Sequence, residues 1–283
     1  MKIIENKSFD YERALYESKD LTLKCCTFEG ELDGESALKE SKNIVAQGCI
    51  FKLRYPFWHD KCVKIIDSRL EEASRAPIWY SQDVEIVNTE LYSPKAMREC
   101  KRVLISQSKL VSIECGWDCQ EVKVESSELS GEYFMARSKN IQMNDVTFSG
   151  KYSFQYVKRA VIENCRLDTK DAFWHAENVY VKNSYIKGEY LGWYSKNLTL
   201  ENCVIVGTQP LCYAKGLKLI NCEMHECDLA FERSEVNATV STCLLSIKNP
   251  KKGKIIAKNA KKVIKDYKNF KCKIILKEGK GND

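Results

Sequence analysis

No apolar run in this sequence approaches the roughly 18 residues that a membrane-spanning helix requires. The opening stretch, "MKIIENKSFDYERALYES", also lacks the apolar region of a secretory signal and turns acidic within its second turn. Both absences point to a globular protein of the cytoplasm, with its 14 cysteines held as thiols. There is no D-x-D-x-D-G loop for calcium and no zinc-ligand spacing, so neither a metal nor an organic cofactor is expected. Nor are there the clustered aspartate pairs of polygalacturonase-type enzymes. A strong charge of one sign is missing from the first 247 residues, which carry 32 basic and 36 acidic groups. That balance argues against a nucleic-acid binder. The basic excess is confined to the end, where 13 lysines from Lys248 onward face only Asp266, Glu278 and Asp283. Such a tail is a solvated extension or a surface for an anionic partner.

What the sequence does contain is a repeat of 19 residues. Units begin "QDVEIVNTEL" (82), "KRVLISQSKL" (101), "QEVKVESSEL" (120), "KNIQMNDVTF" (139), "KRAVIENCRL" (158), "ENVYVKNSYI" (177) and "KNLTLENCVI" (196). These seven run without insertion from 82 to 214; "KGLKLINCEM" (215) follows in phase, and units at 19, 42 and 61 precede with small insertions. Self-similarity at this period means a solenoid, because one such unit cannot bury an apolar face alone. Positions 3 and 5 of each unit are aliphatic and alternate with polar residues, as in a strand. Position 7 is often Asn (Asn88, Asn164, Asn183, Asn202, Asn221), a residue that tolerates the left-handed corner. Position 12 is often Gly. The pattern predicts an all-β fold: a single-stranded parallel β-helix with three short strands per coil and about a dozen coils of 19–23 residues; its right-handedness is the default of parallel crossovers and does not follow from the spacing. It should span residues 1–257 including an N-terminal cap, with 258–283 a Lys-rich cap or tail. In that tail "NAKKVIKDYKN" suits a short helix and a final basic coil equally.

Cys26, Cys49, Cys165, Cys203, Cys222 and Cys243 all fall at position 8, just past the corner, where a buried thiol acts as a small hydrophobe. Cys203 and Cys222 lie on neighbouring coils, close enough for a disulfide on distance alone, yet should stay reduced. Serine at either place is expected to cost about 1–3 kcal/mol by burying a hydroxyl without a partner.

The segment "DAFWHA" (171–176) occupies positions 14–19, the third strand. Strict alternation would send Ala172, Trp174 and Ala176 inward and Asp171, Phe173 and His175 outward. The outward set then forms a stripe rich in aromatics and ionisable groups. Position 18 reads Glu17, Glu40, His59, Tyr80, Glu99, Asp118, Arg137, Tyr156, His175, Tyr194, Tyr213 and Glu232 along the chain, and position 14 adds Tyr133, Tyr152 and Tyr190. Aromatics of this kind stack on sugar rings, and the ionisable groups do proton work. The bland alternative is that loops or a second subunit cover the stripe as packing.

The motifs "GESALKES" (34–41), "KDAFWH" (170–175), "GEYLGWYSKNLTLENC" (188–203), "QPLCY" (209–213) and "DLAFERS" (228–234), with "SIKNP" (246–250) near the end, resemble a bacterial β-helix family known only as a domain of unknown function. The resemblance covers nearly the whole chain. It implies a right-handed, pectate-lyase-like β-helix and carries no assigned activity. In that wider fold class substrates lie along the outer face of one sheet, where acidic and basic side chains act on polysaccharides.

Two functions compete on this reading. One is a carbohydrate-active enzyme: a glycoside hydrolase, lyase or sugar epimerase. Its catalytic residues would come from Glu99, Asp118 and Arg137 on consecutive coils, and from His175 with Asp171 and Glu232. Carboxylates about 5 Å apart would leave one with a raised pKa, near the spacing of retaining glycosidases. Tyr133, Tyr152, Tyr156, Tyr190, Tyr194 and Tyr213 would line the substrate. The other is a non-catalytic binder or scaffold that uses the stripe for an oligosaccharide or a protein partner. No membrane association is expected, and the oligomeric state is not legible in the sequence.

Overall fold

A computed structural model describes residues 2–31, 35–266, 268 and 270–277. Every regular element among them is a β-strand, and all the named pairings are parallel. The fold is a right-handed parallel β-helix. The chain divides into two compact units, residues 1–147 and 148–283.

In the first unit, one side of four successive coils is a six-residue strand: Lys42–Gln47, Lys61–Ile66, Gln82–Val87 and Lys101–Ser106. Equivalent residues stack in register, Ile44 on Val63, Val63 on Val84, Val84 on Val103 and Val103 on Val122. The steps are 19 residues, except for a two-residue insertion before Val84 that falls in the turn after Leu70. Shorter second-side strands follow at Ile50–Phe51, Arg69–Leu70, Glu90–Tyr92 and Lys109–Val111. The residue between the two sides takes the left-handed conformation, with φ of 49° at Asp67, 45° at Asn88 and 49° at Gln107. The third-side strands are two residues each, at Phe57–Trp58, Ile78–Trp79 and Met97–Arg98. Phe9, Phe28 and Phe51 stack inside at 5.0 and 4.8 Å.

Position 8 is a hydrogen-bonded row as well as an apolar one. Each side chain accepts the backbone N–H of the coil before it: Cys49 N–H to Ser68 Oγ (3.0 Å), Ser68 N–H to Thr89 Oγ1 (3.3 Å), Thr89 N–H to Ser108 Oγ (3.1 Å). The row satisfies donors at a corner where the sheet ladder is interrupted. A second row, at position 19, runs from the Ser41 N–H to Asp60 Oδ1 (2.8 Å) and from the Asp60 N–H to Ser81 Oγ (3.0 Å).

The second unit repeats the plan, with first-side strands at Lys158–Glu163, Glu177–Lys182 and Thr199–Glu201, followed by Leu217–His225, which covers the first and second sides. Its corners are the expected asparagines, with φ of 54°, 49°, 50° and 51° at Asn164, Asn183, Asn202 and Asn221. Their amides link along the stack, Asn221 Nδ2 to Asn202 Oδ1 at 3.0 Å. At Gly188 and Gly207 the coils approach so closely that a Cβ would lie 2.1 Å from the Thr169 carbonyl oxygen and 2.2 Å from that of Gly188.

All fourteen cysteines are free, and Cys26, Cys49, Cys165, Cys203 and Cys222 are buried as expected. Cys243 is exposed instead, because the register shifts between Val240 and Cys243 and puts Leu244 inside. The expected penalty for serine does not survive either. Ser184 occupies the same row beside Cys203, accepts the Cys165 N–H (3.0 Å) and donates to the Lys182 carbonyl (2.7 Å). The Cys203 thiol likewise donates to the Glu201 carbonyl at 3.3 Å, so a hydroxyl there would find its partners.

The basic end is coil rather than helix: Lys252–Ile264 pairs in parallel with Glu235–Lys248 before it and Lys271–Leu276 after it. Tyr267, Asn269 and residues 278–283 lie outside the described residues.

Candidate functional site

On the third side of the second unit, alternate residues are left-handed. The φ values are 55°, 60° and 54° at Asp171, Phe173 and His175, and 57°, 70° and 58° at Tyr190, Gly192 and Tyr194. Side chains alternate between faces only along an extended backbone, so directions read from alternation fail here. Phe173, expected outside, is fully buried and stacks on Phe154 at 4.9 Å. Trp174, expected inside, is half-buried on the outer surface. Asp171, expected outside, is 6% exposed, and loss of water raises its carboxyl pKa against the pull of Lys170. Ala172 and Ala176 point inward and His175 outward, as expected.

All five tryptophans of the chain share this half-buried place: Trp58, Trp79, Trp117, Trp174 and Trp193. Each indole N–H donates to a carbonyl at the start of the next coil's third side, which lays the ring across that side. The bonds are Trp174 to Tyr190 (2.7 Å), Trp193 to Gln209 (2.8 Å), Trp58 to Ala76 (2.6 Å), Trp79 to Lys95 (3.0 Å) and Trp117 to Tyr133 (3.3 Å). The rings stack between coils, Trp174 on Trp193 at 5.5 Å and Trp58 on Trp79 at 5.4 Å. In the coil between Trp79 and Trp117, Arg98 takes the place, its guanidinium 4.6 Å from the Trp79 ring centre and 5.1 Å from that of Trp117.

Beside this pavement, position 18 forms a second ladder. Tyr156 stacks on His175 at 4.9 Å, His175 on Tyr194 at 5.0 Å and Tyr194 on Tyr213 at 4.9 Å, with rings within 13° of parallel. Tyr156 is 51% exposed and Tyr194 43%. Stacking occupies both faces of His175 and Tyr194, so they offer solvent a ring edge with its hydroxyl or nitrogen, not a flat platform for a sugar ring. Burial raises the pKa of the Tyr213 hydroxyl, and the Glu232 charge adds to it. Tyr190 meets Trp193 edge-on at 5.4 Å, while Tyr152 is half-buried with the Lys151 ammonium 5.4 Å from its ring centre. In the first unit His59 stacks on Tyr80 at 4.9 Å, and Tyr133 meets Trp117 edge-on at 5.8 Å.

The carboxylates are arranged differently from expectation. Both oxygens of Asp118 are held by Arg137, with Nε to Oδ1 at 2.9 Å. The fork raises the guanidinium's pKa, helped by the charge of exposed Glu99. Asp118's direct partner is therefore a base rather than a second acid. Glu232 does not occupy position 18. An extra residue in its coil puts it in the tryptophan row: its carbonyl accepts the Tyr213 N–H (2.7 Å) as the Trp193 carbonyl accepts that of His175 (2.9 Å). Its carboxylate pairs with Lys248 at 3.2 Å, and Arg233, with φ of 53°, takes the position-18 corner.

The tryptophan row and the His59–Tyr80 pair were missed as site residues, although a signal exists. Each tryptophan is followed at once by His, Tyr or Asp, as WH, WY, WD, WH and WY. Among the described residues, no three His, Cys, Asp or Glu side chains gather to hold a metal ion, and no helix is long and apolar enough to cross a membrane.

A family model described as a protein of unknown function (DUF3737) matches residues 2–276. No curated protein sequence matches the chain. Among solved structures, PfbA, a surface adhesin of Streptococcus pneumoniae, superposes with a TM-score of 0.54 at 10% identity, over 84% of this chain and 85% of that one. The endo-xylogalacturonan hydrolase from Aspergillus tubingensis gives 0.39 at 12% identity, over 83% and 86%. A tailspike protein mutant of E. coli bacteriophage HK620, in complex with a hexasaccharide, gives 0.43 at 10% identity, over 87% and 59%. At these identities the similarity is one of fold.

Proposed function

The chain belongs to the family described as proteins of unknown function (DUF3737), and with that scaffold as given we propose that it binds an extended oligosaccharide along the third side of its second unit. The observation that carries this reading is the ladder Tyr156–His175–Tyr194–Tyr213, evenly stepped at 4.9–5.0 Å, exposed at its first three rungs and half-buried at Tyr213. Each coil offers one ring edge bearing a group that can both donate and accept hydrogen bonds, a tyrosine hydroxyl or a neutral imidazole. A hydroxylated polymer laid along the stack meets such a group at every step. The tryptophan pavement beneath fixes the rings in place without using their polar edges. Binding is favoured over turnover, because Asp118 and Glu232 are tied in ion pairs and Asp171 is enclosed. We place the protein in the cytoplasm, a setting that suits its fourteen free thiols.

The test is an oligosaccharide array followed by calorimetry on the best ligand. His175→Ala and Tyr194→Ala should each weaken binding about tenfold or more, a loss of about 1.4 kcal/mol. Each should lower the melting temperature only slightly, since an aromatic pair contributes about 0.5–1.5 kcal/mol beyond its burial. A protein that binds no saccharide on the array, or binds its best ligand equally well after both substitutions, would overturn the assignment.

A further inference from the structure

The ladder Tyr156–His175–Tyr194–Tyr213 fixes a distance as well as a chemistry. Its rings step at 4.9, 5.0 and 4.9 Å. The backbone beneath holds that step: the Tyr156 N–H donates to the Trp174 carbonyl at 2.8 Å, that of His175 to Trp193 at 2.9 Å and that of Tyr194 to Cys212 at 3.1 Å. With φ of 58°, 54°, 58° and 59° along the four residues, the side chain leaves each coil in the same direction. Neighbouring rings cover both faces of His175 and of Tyr194, so nothing enters between the rungs. A ligand has to lie along the ladder and meet its ring edges one after another.

A polymer uses every rung only if its own polar groups recur at the same step. One face of an extended peptide repeats at about 6.6 Å and is about 1.7 Å out of place at the second rung, several times the spread in length of a good hydrogen bond. Bases along a stacked nucleic-acid strand recur at about 3.4 Å and miss by a similar amount. A pyranose bonded equatorially at both C1 and C4 is spanned at its full length. A chain of such rings is straight and advances by close to one inter-strand spacing per sugar. An axial bond at C1, or linkage through C3, shortens the step and curls the chain away from a straight row. Successive sugars of the straight chain present opposite edges, so the rungs must take hydroxyls of either edge. A tyrosine hydroxyl and a neutral imidazole can do so, because each both donates and accepts.

We propose that the ladder selects its ligand by linkage: it takes a straight β-1,4-linked chain of diequatorial pyranoses, laid parallel to the stack with one sugar per rung. The inference rests on the saccharide function proposed above and adds the linkage class to it.

The experiment is calorimetry of the full chain with cello-, manno- and xylo-oligosaccharides of increasing length. Malto-oligosaccharides, axial at C1, and laminari-oligosaccharides, linked through C3, are the comparison at equal length. At least one of the first three series should gain about threefold or more in affinity with each sugar from the disaccharide to the tetrasaccharide, as one hydrogen bond per rung allows, and little beyond. The two curled series lose the later rungs and should bind about tenfold or more weaker as tetrasaccharides. Tyr194→Phe keeps the ring in the stack without its hydroxyl, and should weaken the best tetrasaccharide about threefold or more. A best ligand of any other linkage, an affinity already at its limit with two sugars, or full tetrasaccharide binding by Tyr194→Phe would each overturn the proposal. Failure of the saccharide reading looks different: no series binds at any length, or His175→Ala and Tyr194→Ala leave all binding unchanged. A curled series that binds best and is lost in Tyr194→Ala would keep the saccharide site and remove the linkage rule alone.

Discussion

Asp60 sits in the row where the coils on either side place Ser41 and Ser81, and it is fully buried. Its Oδ1 accepts the Ser41 N–H, but its Oδ2 has no partner. Burial pushes its pKa up to about 8, only partly opposed by the backbone hydrogen bond from Ser41. The folded protein therefore holds this proton where the unfolded chain, with a carboxyl pKa of about 3.9, has lost it. A raised folded pKa contributes stability that is complete below about pH 4 and is lost as pH rises toward about 8. Asp60→Ser, which restores the row, should flatten the pH dependence across that window and raise stability at pH 8 by several kcal/mol. Denaturant midpoints at a series of pH values measure both effects, and an unchanged slope would place the ionisation elsewhere.

At the scale of the element, the first and second sides were legible in the sequence and the third was not. Val84, Val103 and Val122 stack as their spacing requires, and Asn183 and Asn202 turn the corners they were expected to turn. On the third side, Phe173 and Tyr194 adopt positive φ although neither residue advertises it; the preference belongs to Gly, Asn, Asp and His. What enforces it is the tight closure of the coil, a tertiary demand invisible in local composition. Side-chain direction inverted as a result, with Phe173 going in and Trp174 out, while position 18 stayed outside. The His175 and Tyr194 stripe was thus found by alternation even though alternation does not hold there. The inversion has a measurable consequence. Phe173→Ala should cost about 3–5 kcal/mol through the cavity it leaves. Trp174→Ala, which gives up one hydrogen bond and part of a stack at a half-exposed site, should cost about 1–2 kcal/mol. Thermal or denaturant unfolding of the two variants ranks them, and the reverse order would mean that the tryptophans are core after all.

For the molecule as a whole, the governing feature is that partners lie one coil away. Val103 touches the coils of Val84 and Val122, and Val179 that of Ala160, each 19 residues off. Each coil is bound to its neighbours and indifferent to its distance from the ends, so stability accumulates coil by coil. Deleting residues 177–195 joins Ala176 to Lys196 in phase, and the shortened chain should fold with a single cooperative melt. Deleting only 177–186 shifts every following inward residue out of its row and should leave no cooperative transition. Circular dichroism on the two deletions separates these outcomes, and a folded half-coil deletion would refute the register. At the level of the gene, the same property makes duplication or loss of nineteen codons a tolerable event at any coil, whereas smaller in-frame slips are absorbed only at turns such as the one after Leu70. Descendants of such a gene should differ in length by whole coils, acquiring or shedding one rung of the exposed ladder with each change.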